Sequence, residues 1–155
     1  MDRGMFPVGR LFFLVLCAAT GLRAEDADDY PLIFAAGEGD GETVEKLLAS
    51  GVDVNGKSKD GETALHVSAI RGDLRTVRAL LVAGAEVDAR TPKGSTIYMT
   101  PSMWTVYHGH QEMFKLLLNA GASAAAADEN GKTLLEMSQE AQQPDIEALI
   151  RAKLE

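Results

Sequence analysis

Between Gly61 and Asp88 the apolar positions fall into two short helical stripes. Leu65, Ala69 and Ile70 follow helical spacing, Arg71-Gly72-Asp73 interrupts them, and Leu74, Val77, Leu80 and Leu81 form a second stripe. Thr63 stands where the first helix needs an N-cap, and Asp73 stands where the second does. Gly84 supplies the left-handed residue that ends the second helix. Two such short helices cannot bury their apolar faces against each other alone. The pattern therefore predicts further copies of itself.

The copies are present. Pro31 to Asn55, Thr100 to Ala125 and Asn130 to Leu154 repeat the scheme. The paired leucines Leu47-Leu48 and Leu80-Leu81 are 33 residues apart, and Leu117-Leu118 follows 37 residues later. The fourth copy ends in Leu149-Ile150 and lacks the terminal glycine. Approximate unit boundaries are 28–57, 58–90, 91–127 and 128–155.

A 33-residue period with such starts and ends resembles the ankyrin repeat. The residues carrying the resemblance are Gly61, Thr63, Leu65, His66, Ala69, Gly72, Val77, Leu80, Leu81, Gly84, Ala85, Val87 and Asp88. In the third copy they are Thr100, Pro101, Gly109, His110, Leu117, Leu118, Gly121 and Ala122. The resemblance implies an all-α solenoid of helix-turn-helix units with projecting finger loops. It also implies non-catalytic recognition of a protein partner through the concave face and fingers. A solenoid needs polar outer faces on its end units. The acidic Glu25 to Pro31 start and the Glu136, Gln139, Glu140, Gln142, Gln143 set of the last copy fit that need.

Residues 1–24 have a different character. Arg3 and Arg10 precede the apolar run Leu11 to Ala19, which is shorter than the roughly 20 residues a membrane-spanning helix needs. A basic start, a short apolar core and then small residues is the secretory signal-peptide pattern, with cleavage after Gly21 or Ala24. The expected location is therefore the secretory pathway or outside the cell, or the periplasm in a bacterium. The alternative is an uncleaved anchor, with residues 5–22 retained and the domain serving as a membrane-tethered assembly subunit. Leu16 before Cys17 argues against a bacterial lipoprotein.

Composition narrows the partner. The chain carries a net charge of -8, which disfavours nucleic acid and anionic membranes. Cleavage after Ala24 removes Arg3, Arg10, Arg23 and Asp2, a net +2, leaving -10. Such acidity fits a protein partner with basic patches, and fits a solubility device equally well. Cys17 is the single cysteine, so the domain can hold no internal disulfide and no cysteine nucleophile.

Chemistry-bearing motifs fail on context. Gly37 to Gly41 is glycine-rich but forms an acidic inter-helix turn, which repels phosphate. Asp26, Asp28 and Asp29 lack the glycine and distal glutamate of a calcium loop. His108-Gly109-His110 offers two imidazoles where a metal needs three or four ligands. His66 reads as a structural hydrogen-bonding residue. No catalytic residue, cofactor or metal is expected.

Departures from the repeat mark the candidate contact residues. The connection from Asp88 to Pro101 is four residues longer than the period requires, with the insertion near Ser95 to Tyr98. Ile97, Tyr98 and Met99 on this lengthened finger form one candidate contact element; folding back onto the third unit is the competing placement. Tyr107 and His108, with Ile70 and Arg71 one unit earlier, end their helices toward the concave side. Lys59 and Glu62 on the preceding finger complete the set. Trp104 is expected as an aromatic wedge between units.

Overall fold

The computed structural model describes residues 29–92 and 98–155. Among these, eight helices form four antiparallel pairs: α1 (Pro31–Glu38) with α2 (Gly41–Ala49), α3 (Ala64–Arg71) with α4 (Leu74–Val82), α5 (Pro101–His108) with α6 (Gln111–Asn119), and α7 (Leu134–Glu140) with α8 (Pro144–Leu154). The first helices α1, α3, α5 and α7 pack in succession as one layer. In the second layer α2 packs on α4 and α6 on α8. The described residues hold no strand, only an isolated bridge between Ala127 and Thr133 in the last finger loop.

Local chemistry sets the helix ends. Asp73 accepts hydrogen bonds from the Arg75 and Thr76 backbone N–H groups, satisfying donors that the first turn of α4 leaves open. Asp40 does the same for Thr43 at α2. Thr100 and Thr133 accept from the N–H groups of Met103 and Glu136, and Pro101 occupies the first position of α5, where a missing N–H costs nothing. At Thr63 the hydroxyl turns instead to His66 Nδ1, 2.9 Å away. Gly84, at φ +89°, lets the chain turn back after α4, with Ala85 N–H donating to Leu80 O.

The core runs along the stack in two clusters. One joins Leu32, Ile33, Val44, Leu65, Val77, Leu80, Trp104 and Leu117 across the first three pairs. The other joins Met103, Phe114, Leu118, Leu134, Ile146 and Ile150 across the last two. Met99 packs against both. The leucine pair divides its work: Leu80 is fully buried and Leu81 is only half-buried. Trp104, 7% exposed, is the inter-unit wedge its position suggested.

Polar links tie each unit to the next at the inter-helix turns. His110 Nε2 donates to Ile70 O at 3.2 Å, and its ring lies where a Cβ on Gly72 (φ +82°) would stand. One unit earlier, Arg71 Nη1 donates to Gly37 O at 2.8 Å. At the finger side Asn55 Oδ1 accepts from Glu86 N–H (2.7 Å), and 33 residues on Asp88 accepts from Ser123 N–H (3.0 Å). Gln142 takes the place in the last turn that Gly72 and Gly109 hold earlier, and it does so with φ +55°. A non-glycine residue there is strained by about 1–2 kcal/mol.

Candidate functional site

The fingers and the first-helix layer give two neighbourhoods where the expected contact residues gather. The first is the joint between the finger preceding α3 and the finger preceding α5. Gly61, at φ +80°, lies under the Pro92 ring, and an added Cβ would overlap Pro92 Cδ. Ser58 N–H donates to Glu62 O (2.9 Å) and Glu62 N–H to Ser58 Oγ (3.2 Å), closing the finger tip. His66 spans the joint. Its Nδ1 accepts the Thr63 N–H (3.2 Å), so the ring proton sits on Nε2, which donates to Met99 O (3.2 Å). Burial of the ring holds the His66 pKa down to about 4.

Glu62 is the unexpected member. It stands 2% exposed, and among the described residues neither carboxylate oxygen has a hydrogen-bond partner. Burial, reinforced by the negative charge of Asp60, pushes its pKa up to about 8. The sequence places Glu62 on a projecting loop, where a charged side chain ordinarily faces water. Here Pro92 of the following finger lies over the adjacent Gly61, and Glu62 belongs to the interior of the joint and not to its outer surface. Ile70 departs from expectation in the same way. At 7% exposed it sits in the first core cluster, because α5 covers the end of α3.

The lengthened finger folds back in part. Met99 is half-buried against both core clusters, and its N–H donates to Thr91 Oγ1 at 3.2 Å. Tyr98 is half-buried with the Arg90 guanidinium over its ring, 5.2 Å from the centroid. Arg90 also donates to Ala127 O at 2.8 Å, so it links two successive fingers. Ile97 lies outside the described residues. Lys59 is exposed beside the joint.

The second neighbourhood is an aromatic cluster at the end of α5. Tyr107 is 69% exposed and meets Trp104 and His108 edge-on, with centroids 6.0 and 5.3 Å away. His108 is exposed and stacks between Trp104 (5.8 Å) and His110 (5.7 Å). Partial burial and the neighbouring His110 lower the His108 pKa, favouring its neutral ring. The Trp104 Nε1–H is buried without an acceptor among the described residues. Arg71, one unit earlier, is half-buried and donates to Gly37 O, so it serves the stack.

The expected contact residues thus separate into three groups. Tyr107, His108 and Lys59 are exposed, Arg71, Tyr98 and Met99 are half-buried, and Glu62 and Ile70 are interior. Arg90, Thr91 and Pro92 shape the finger joint, and no feature of the sequence singled them out. Among the described residues no three His, Cys, Asp or Glu side chains come together as metal ligands. No described helix is long and apolar enough to cross a membrane.

Residues 10–91 match the family model described as ankyrin repeats in three copies, and residues 98–129 match the single ankyrin repeat. The chain belongs to the ankyrin-repeat family. The first match begins at residue 10, inside the segment whose composition resembles a signal peptide. Comparison with curated proteins gives no match. Ankyrin-repeat proteins generally mediate protein–protein interaction and are generally non-catalytic.

Proposed function

We propose that this chain is a non-catalytic binding module of the secretory pathway or the cell exterior. It holds a protein partner against the face of its first helices and its finger loops. The observation that carries this reading is Tyr107. A large amphipathic ring, 69% exposed on the first-helix layer, is backed by Trp104 and His108, which fix its orientation. Rigid exposed aromatics give large contact area at low entropic cost, which is why they dominate binding surfaces. Lys59 and the outer edge of Tyr98 extend the surface toward the fingers, and the net acidity favours a partner with basic patches.

Two measurements test the reading. Affinity capture with the full chain, followed by titration of the captured partner, should show binding that weakens at least tenfold in Tyr107→Ala/His108→Ala. Circular dichroism should confirm an unchanged fold. Arg71 is left intact, since its bond to Gly37 O supports the stack. A double variant that binds every captured partner at wild-type strength removes the proposed surface. Sequencing the N-terminus of the exported protein tests the location. A start at Leu22 or Glu25 supports export with cleavage, whereas a retained Met1 on membrane-bound material supports the tethered alternative.

A further inference from the structure

The joint between the two fingers contains a carboxylate that neither the fold nor the binding surface explains. Glu62 is 2% exposed, and both side-chain oxygens lack partners among the described residues. A buried ionised carboxylate without a partner is strongly unfavourable, whereas the protonated acid is tolerated far better. The equivalent position is Asp29 one unit earlier, exposed, and Met99 one unit later, apolar and half-buried. The row therefore tolerates an apolar side chain at a packed position, and Glu62 keeps an ionisable one.

Among the described residues, the groups around this joint offer Glu62 little compensation. Asp60 on the same finger repels its charge. Lys57 and Lys59 lie exposed on that finger, and neither is hydrogen-bonded to the Glu62 carboxylate. His66 on α3 is buried and neutral, with both nitrogens engaged. Arg90 at the base of the next finger is directed to Ala127 O and the Tyr98 ring.

We propose that the joint between these fingers is a proton-dependent clasp. With Glu62 protonated, Pro92 packs on Gly61 and His66 holds Met99; loss of the proton loosens that contact. The shape of the finger row then depends on pH near neutrality. Burial supports this direction, since it holds the folded carboxyl in its neutral form well above the ordinary carboxylate range. An open joint returns Glu62 to water and to its ordinary acidity, so the population of the open form rises about tenfold per pH unit across the interval between the two values.

The test is amide hydrogen exchange by NMR on the full chain and on Glu62→Gln, read at the Ser58, Thr63 and Met99 amides between pH 5.5 and 7.5. The Val77 amide in α4, bonded to Asp73 O, reports global unfolding for comparison. The expected result is that exchange at the joint, taken as the ratio of wild type to variant, climbs about tenfold per pH unit, with the joint amides less protected than Val77 at every pH. A second measurement, carbon-13 titration of the Glu62 side-chain carboxyl in the wild type, should give a midpoint far above the other glutamates. It holds even if Glu62→Gln fails to fold, and Glu62→Met, copying the next unit, offers another neutral variant. A constant exchange ratio at the joint, a Glu62 carboxyl titrating with the other glutamates, or joint amides as strongly protected as Val77 would each overturn the clasp.

Discussion

Acidification from pH 7 to pH 5 sets two buried groups of one joint against each other. His66 is fully buried, with Nδ1 already accepting from Thr63 and Nε2 donating to Met99 O. In the unfolded chain it takes up a proton below its ordinary value near 6.5, and in the folded chain only below about 4. Between those values the unfolded state binds more protons, so stability falls as pH drops through that window. Glu62 works in the opposite sense. Its folded carboxyl binds a proton below about 8 and its unfolded one only below 4.5, so stability rises as pH drops from 8 to 4.5. Over the interval from pH 7 to pH 5 the His66 cost and the Glu62 gain are opposite in sign and similar in size, each roughly 2–3 kcal/mol. The wild type should therefore change its melting temperature by distinctly less than either single variant. Glu62→Gln removes one arm of the balance, and its melting temperature should fall by roughly 6–10 °C over the same interval. His66→Gln should instead gain stability on acidification. Stopping at pH 5 stays above the titration of Asp40, Glu136 and Glu147, whose pKa values are lowered by hydrogen bonds from Thr43, Thr133 and Arg151 respectively. Scanning calorimetry at matched ionic strength makes the comparison. A Glu62→Gln protein with the same melting temperature at pH 7 and pH 5 would refute the reasoning about His66.

Other substitutions probe the stack. Leu80→Ala, at a fully buried position of the first core cluster, should lower stability by about 2–5 kcal/mol in denaturant titration, and the half-buried Leu81→Ala by distinctly less. Because stability in a stacked array is a sum over neighbouring units, loss at this central pair should reduce the cooperativity of unfolding as well as its midpoint. Gly61→Ala places a Cβ into the Pro92 ring at a left-handed backbone position, and should destabilise by about 1–3 kcal/mol in the same assay. Arg75→Ala breaks the bidentate contact with Glu45 across α4 and α2, but both partners are exposed, so the melting temperature should not move measurably.

The sequence by itself determined the unit and its order. Helix stripes such as Leu74, Val77, Leu80 and Leu81, caps such as Asp73 and stops such as Gly84 act over a few residues, so the chain spells them out locally. The 33-residue spacing carried the next level: the repeat that places Leu47 and Leu80 also places Asn55 and Asp88, which brace successive fingers. Trp104 as a wedge followed from the same register. Tertiary structure alone decided which loop residues face water. Glu62 and Lys59 stand three apart on one finger and look alike in sequence, yet one is enclosed and the other exposed. Beside Glu62, Pro92 of the neighbouring finger is laid across Gly61, a contact between residues with no local relation. Ile70 and Tyr107 make the same point at one register position, the first covered by the helix that follows and the second left open. Burial depends on what the next unit brings over each residue, and the fingers, where the period lapses, are where that neighbour cannot be read from the chain.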